Sequence, residues 1–375
     1  MSYRYANAIV DPGLNTLIAP TPQYLYSLYS WGQGSGGHLG LGNTNSYSSP
    51  IQVGSLTNWL VISSGTISTN AIKTDGTLWG WGSNTNGNLG TGNTTTYSSP
   101  VQIGALTSWS KVSKNSTTTL ALKTDGTLWS WGNNYFGGLG LGNTTNYSSP
   151  KQVGLLTTWL NISSGGYSSF AIKIDGTLWS WGYSGYGQLG LGNTSNYSSP
   201  KQVGALTNWK NIYAGAYNAI AIKTDGTLWS WGNNGPGQLG LGNTTNYSSP
   251  KQVGALTNWS AAGAATNNTF AIKANSTLWS WGLNAQGQLG LGNTTYYSSP
   301  KQVGTLTNWL NIACSQYHTA VVKTDGTLWT WGKNNNGQLG LGNTTYAFSS
   351  PQQVGSLTSW KNVALGTTFS IATSL

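Results

Sequence analysis

The chain has 375 residues, of which only 6% are charged; 16 Lys+Arg stand against 6 acidic residues, all Asp, for a net charge of +10. Its 20 tryptophans exclude a disordered chain, which needs few aromatics, and no apolar run approaches the roughly 20 residues of a membrane span, so no membrane insertion is expected. One cysteine, Cys314, and two histidines, His38 and His318, exclude an internal disulfide framework and leave little for a metal centre or His-based catalysis.

Residues 1–23 form an arm with its own character. Asp11-Pro12-Gly13 is a turn signal, and Pro20 and Pro22 favour extended backbone. No apolar core follows a basic segment, so no standard secretion signal is predicted. The arm is read either as a cover for the edge of the fold or as an anchor to a larger assembly. Tyr24–Trp31 then alternates like a strand.

From there the chain repeats. Trp-Gly begins at Trp31, Trp81, Trp131, Trp181, Trp231, Trp281 and Trp331. A second series is Trp59, Trp109, Trp159, Trp209, Trp259, Trp309 and Trp360, shifted by one residue at its last step through an insertion near Ala347. A third is Trp79, Trp129, Trp179, Trp229, Trp279 and Trp329, with Tyr29 in the first unit. Every tryptophan belongs to one of these series. Within each unit, A-I-A-I-K-type and T-L-W-S-W-type segments alternate with strand periodicity. Asp-Gly joins them at Asp75-Gly76, Asp125-Gly126, Asp175-Gly176, Asp225-Gly226 and Asp325-Gly326. That dipeptide predicts a type I′ hairpin with positive φ at both residues. The sixth unit carries Asn275-Ser276, where Ser suits positive φ poorly.

A 50-residue all-β unit, seven times over, predicts a seven-bladed β-propeller over residues 24–375, with one small antiparallel sheet per unit. The chain ends on a strand-like half-unit, Ser370–Leu375, and begins with the complementary half. Pairing these two ends closes the ring and removes the exposed edges that an open β-solenoid, the alternative, would leave.

The unit D-G-x-L-W-x-W-G-x-N-x-x-G-Q-L-G-x-G…P-x-x-V resembles the regulator of chromosome condensation family, over nearly the whole chain and seven times. The resemblance implies a seven-bladed propeller whose terminal strands share a blade. The family's best-known member exchanges nucleotide on the Ran GTPase and docks on nucleosomes; others are a plant ultraviolet-B photoreceptor and a secreted bacterial β-lactamase inhibitor. One scaffold with such different tasks does not fix a function. This chain also departs from the family. His-Thr before the hairpin occurs only as His318-Thr319; the other units carry Ser68, Thr118, Ser168, Asn218 and Asn268. The acidic surface and inserted hairpin that exchange activity implies are missing, and Arg4 is the single arginine where the photoreceptor's cross-dimer contacts imply several.

Few residues invite chemistry. G-Q-L-G-L-G looks like a phosphate loop, but that loop needs a following helix, and here the glycines suit turns. Cys314 and His318 are read as a buried thiol and a structural histidine. Five of the six aspartates are hairpin turns spread round the ring, so no close carboxylate pair for acid–base work is expected. The expectation is no enzyme, no cofactor and no metal. The lysines follow the repeat and predict rings rather than a patch, which argues against specific nucleic-acid recognition.

What fails to repeat is more informative. After Trp-Gly, most units carry small polar residues, but Tyr135-Phe136 and Tyr183 with Tyr186 break the pattern. Before the hairpin, Tyr167, Tyr213, Tyr217 and Tyr317 do the same. Two readings stand: drift in unconstrained loops, or a binding surface of Tyr, Asn and Ser on rigid loops. The expected function is a non-enzymatic binding or structural propeller displayed outside a cell, such as a bacteriophage decoration, tail or host-attachment protein. It would take a protein or surface-glycan partner, and other virion proteins through the arm. The alternatives are a cytoplasmic interaction scaffold with a GTPase or chromatin partner, and a glycan-binding lectin.

Overall fold

The alternating segments are strands. In the first complete unit they run Trp59–Ser64, Ser68–Lys73, Leu78–Gly82 and Tyr97–Gln102, paired in that order as one antiparallel sheet. The structure, a computed structural model, describes residues 26–375, so the arm over residues 1–23 lies outside the described residues. Blade 1 spans 59–102, and blades 2 to 6 follow at 109–152, 159–202, 209–252, 259–302 and 309–353. Each fourth strand carries Ser-Ser-Pro on the outer edge of its sheet. Proline is tolerated there because its missing N–H breaks no ladder.

Blade 7 is built from both ends of the chain. Trp360–Leu365 and Phe369–Ser374 supply its inner strands, and Ser27–Gly32 and Tyr47–Gln52 its outer ones. The closing ladder runs from Ser27 opposite Ser374 to Gly32 opposite Phe369. The first strand of every blade packs against the first strands of both neighbours, and the series closes on itself. The fold is therefore a seven-bladed propeller with its first strands around the axis.

The core lies in the seams between blades. Ile72, Leu78 and Ile103 of blade 1 pack on Trp109, Val112, Ala121 and Trp131 of blade 2, and comparable clusters fill the other seams. A buried indole removes about 150–250 Å² from water, worth roughly 4–6 kcal/mol. Each seam therefore replaces a larger aliphatic core with tryptophan. The seam also explains the glycine-rich motif. The Trp231 indole N–H donates to the Gln188 carbonyl of the preceding blade at 2.8 Å. Gly190, at φ +74°, lies so close that a Cβ there would stand 2.7 Å from that indole nitrogen.

The hairpins differ from expectation. Gly76 has φ +76°, but Asp75 does not share the positive region; Ser276 at φ 58° is the one non-glycine residue there among the described residues. Gly76 N–H bonds to the Lys73 carbonyl, and Lys73 N–H to the Thr77 carbonyl. The connection is a three-residue loop, Thr74-Asp75-Gly76, with only glycine left-handed. Asp75 is instead chosen for its side chain. Its Oδ1 accepts from the Thr77 N–H at 2.9 Å and the Thr77 hydroxyl at 2.6 Å. The Thr77 oxygen in turn accepts from the Trp79 indole at 2.8 Å. The D-G-T-x-W motif is one hydrogen-bonded chain.

Candidate binding site

Antiparallel order sorts the connections onto two faces. The hairpins and the links between blades lie on one face. The links from first to second strand and from third to fourth lie on the other, the loop face. The sorting separates charge. The hairpin face carries pairs such as Lys73 with Asp75 and Lys323 with Asp325. No Lys, Arg, Asp or Glu occurs in any described loop-face connection, from residues 33–46 through 366–368. Lys333 ends a strand at this face, its ammonium 5.0 Å from the Tyr317 ring.

The lysines form rings, as their spacing predicts. Lys73 stands 3.5 Å from the Trp79 ring centroid and 4.8 Å from that of Trp59, and Lys123, Lys173, Lys223, Lys273 and Lys323 repeat the arrangement. Such cations are occupied by indole faces within their own blade.

Six of the aromatics that break the repeat meet on the loop face. Phe136 is the hub, with ring centroids 4.8 Å from Tyr135, 5.2 Å from Tyr167 and 4.8 Å from Tyr183. Tyr217 extends the series, 6.5 Å from Tyr183 and 5.3 Å from Tyr186. Together they make one ridge across blades 2, 3 and 4. Tyr135 is 73% exposed and Tyr186 39%. The hydroxyls of Tyr167, Tyr183 and Tyr186 lie close enough to that of Tyr217 to disfavour its ionisation, behind the larger effect of burial, so its pKa is raised. Most pairs are edge-to-face, the arrangement in which aromatic quadrupoles attract.

The loops beneath are pinned by side-chain bonds. Asn134 Oδ1 accepts from the Leu139 N–H at 2.9 Å, while its Nδ2 donates to the Asn143 carbonyl at 2.9 Å. The Tyr135 N–H bonds to Asn133 Oδ1 and the Tyr186 N–H to Gln188 Oε1, each at 3.0 Å. The ridge therefore stands on ordered backbone.

Two predicted residues do not join it. Tyr213 lies within the first strand of blade 4, at the position held by Ser63, Ser113 and Ser163 in earlier blades. Those serines accept backbone N–H groups across the seam, as Ser163 Oγ does from Ala214 at 2.9 Å. Tyr213 bridges its own seam, its buried hydroxyl held by the Ala262 backbone and the Asn211 side chain. It is architectural because its strand position faces a neighbouring blade. Tyr317 is on the loop face but in blade 6, apart from the ridge.

His318 is buried and Cys314 is half-buried at the end of its strand. His318 Nδ1 lies 2.8 Å from Ser315 Oγ and Nε2 3.1 Å from Ser370 Oγ, joining blades 6 and 7. Burial holds its pKa down at about 3. Burial raises the Cys314 thiol to about 12, opposite to what a nucleophile needs. No cluster of three or more metal-ligating side chains occurs among the described residues. Sequence reading overlooked Lys114, the fully buried end of blade 2's first strand. Its ammonium donates to the Asn88 carbonyl at 2.8 Å and the Thr119 hydroxyl at 3.2 Å, and burial lowers its pKa to about 7. Ser64 and Ser164 at the equivalent positions were the available signal.

Clefts of about 420 Å³ beside Trp159 and Trp179 and about 310 Å³ beside Trp209 and Trp229 open at two seams. Their walls are repeat residues, so they follow from blade packing. Exposed departures from the repeat also occur singly, at Leu155, Ile174, Tyr296 and Tyr346, but the ridge is where several of them meet.

A comparison with curated protein sequences finds no match. Among solved structures, the chain is similar to Prp20p of Saccharomyces cerevisiae, a structure described with its binding to Gsp1p and histones. Identity is 19% over 94% of this chain and 93% of that one, with a TM-score of 0.83. Yeast RCC1 (Prp20) bound to Kap60 gives 20% identity, 100% and 94% coverage, and a TM-score of 0.84. Human WBSCR16 gives 20%, 93% and 98%, and 0.83. These likenesses establish a shared fold. The family model for an RCC1-like domain matches residues 27–311, and models for the regulator of chromosome condensation (RCC1) repeat match 309–338 and 325–373. With that match over most of the chain and a closed ring of seven blades, the protein belongs to the RCC1-like propeller family.

Proposed function

We propose that this protein is a non-enzymatic binding propeller that engages its partner through the loop face, whose connections carry no charged residue, with the aromatic ridge at the contact. The observation that carries this reading is the convergence of Tyr135, Phe136, Tyr167, Tyr183, Tyr186 and Tyr217 on one exposed face. Tyr296, Tyr317 and Tyr346 stand apart on the loop face of blades 5 and 6, whereas these six occupy three adjacent blades and touch one another. Rigid tyrosines supply contact area at little entropic cost. The Glu-free and charge-poor composition suits display outside a cell, and we place the protein there, as a bacteriophage decoration, tail or host-attachment component. Mass spectrometry of purified particles tests the placement: recovery in stoichiometric amount supports it, and recovery only as free cytosolic monomer rejects it.

The second reading is an intracellular scaffold. It is favoured by the fold shared with Prp20p, described with Gsp1p and histones. A pull-down with small GTPases and nucleosomes decides between the two. A stoichiometric GTPase or nucleosome complex, lost with Phe136→Ala, would move the ridge to that role.

A further inference from the structure

We infer that the ridge is a docking surface for a neutral oligosaccharide. The inference rests on reading the ridge as a binding face, and names what it binds. Three observations converge. First, the ligand must do without ionic contacts. The connections that carry and flank the ridge, residues 115–117, 133–146, 165–167, 183–196, 215–217 and 233–246, contain no Lys, Arg, Asp or Glu. Lys114, which precedes 115–117, is buried with its ammonium on the Asn88 carbonyl and the Thr119 hydroxyl, so a phosphate, sulfate or carboxylate ligand would find no accessible cation there, and a basic peptide no carboxylate.

Second, the surface alternates aromatic area with hydroxyls. Tyr167, Tyr183, Tyr186 and Tyr217 bring their phenols to one locality. Each phenol both donates and accepts. Sugar rings present the complementary pattern: C–H faces that pack on an electron-rich aromatic face, and hydroxyls at their edges that pair with donor–acceptor groups.

Third, the surface is extended and pre-ordered. It crosses the loops of three consecutive blades through rings held mostly edge to face, and is not a single enclosed pocket. That suits a chain of several sugars rather than one. The hydrogen bonds fixing the Tyr135 and Tyr186 backbones mean that little order is left to impose on binding.

The test uses the full chain against immobilised neutral oligosaccharides (glucans, mannans, galactans and N-acetylglucosamine oligomers) and sulfated and sialylated counterparts. At least one neutral series binds, and the acidic counterparts bind no better. The Tyr183→Ala/Tyr186→Ala variant weakens that binding roughly tenfold or more. Tyr135→Ala, at the most exposed ring, weakens it without touching a seam, and Tyr317→Ala in blade 6 leaves it unchanged. Thermal midpoints confirm that each variant is folded. Absence of neutral-glycan binding overturns the inference, as does equal loss with Tyr317→Ala. A non-glycosylated protein partner, bound by the wild type and lost with Tyr135→Ala, would overturn the oligosaccharide while keeping the ridge as a binding face. Ridge variants that alter neither glycan nor protein binding would reject both readings.

Discussion

Lys114 and His318 are buried bases whose main electrostatic neighbour is low-dielectric protein. The folded state holds Lys114 at about 7 against an ordinary 10.5, and His318 at about 3 against 6.5. Both are bases with depressed folded values, so the unfolded chain binds the extra proton. Stability therefore falls as pH drops from about 10.5 to 7 for Lys114, and from about 6.5 to 3 for His318. At about 1.4 kcal/mol per unit, each step reaches at most about 5 kcal/mol. Lys114→Ser, copying Ser64 and Ser164, flattens the alkaline step and leaves the acid one. His318→Asn, copying Asn218 and Asn268, does the reverse. Denaturant melts at intervals from pH 4 to pH 10 check this, and profiles parallel to wild type would refute it. At this scale the sequence was legible where a residue failed to repeat, as with the ridge tyrosines. What it hid was orientation. Tyr167 and Tyr213 both depart from their repeats, but one stands in a loop and the other faces a seam. The ridge itself follows an offset of 31 residues, seen also where Ser169 bonds to the Gly138 carbonyl of the preceding blade. Phe136 meets Tyr167 and Tyr186 meets Tyr217 by that step, whereas Tyr317 finds Gln286 there and stays outside.

Hairpins and seams, the next scale up, show how one motif serves twice. Asp-Gly correctly announced a hairpin, but not its length. The sequence does not distinguish two left-handed residues from a three-residue loop in which Asp caps Thr and Thr holds the indole. Blade 5 measures the value of that chain. Asn275 replaces Asp, and its bonds lengthen to 3.3 Å from the Thr277 N–H and 2.8 Å from the hydroxyl. The Trp279 indole follows at 3.1 Å from Thr277, and Ser276 occupies the left-handed region at φ 58°. Left-handed backbone costs a residue with a Cβ roughly 1–2 kcal/mol, partly offset by the greater freedom of glycine in the unfolded chain. Ser276→Gly therefore stabilises the protein by about 0.5–1 kcal/mol, and adding Asn275→Asp increases the gain. Calorimetric midpoints check it; a destabilised Ser276→Gly would mean that the Ser276 side chain contributes more than its backbone strain costs.

Over the whole molecule, stability depends on closure. Each seam buries apolar surface between two blades, so a ring of seven blades has seven seams and an open row has six. The strand Phe369–Ser374 lies between Trp360–Leu365 and Ser27–Gly32 and joins the ends of the chain by hydrogen bonds alone, without a covalent link. Ending the chain at Gln353 removes both inner strands of blade 7. It uncovers Ala320, Val322 and Leu328, which pack with Val354, Trp360, Val363 and Ala372 in the blade 6–7 seam, and it takes Phe369 and Ile371 from their cluster with Leu28 and Trp59 in the blade 7–1 seam. It also leaves Ser27–Gly32 as an unpaired edge, a template for association with another chain. The truncated chain is expected to lose its single cooperative melt and to associate, while a peptide of residues 354–375 added in trans restores monomer and cooperativity. Light scattering and thermal melts read both. A truncated chain that remained monomeric with an unchanged midpoint would show that six blades hold together without closure, and that the pairing of the two ends contributes little to stability.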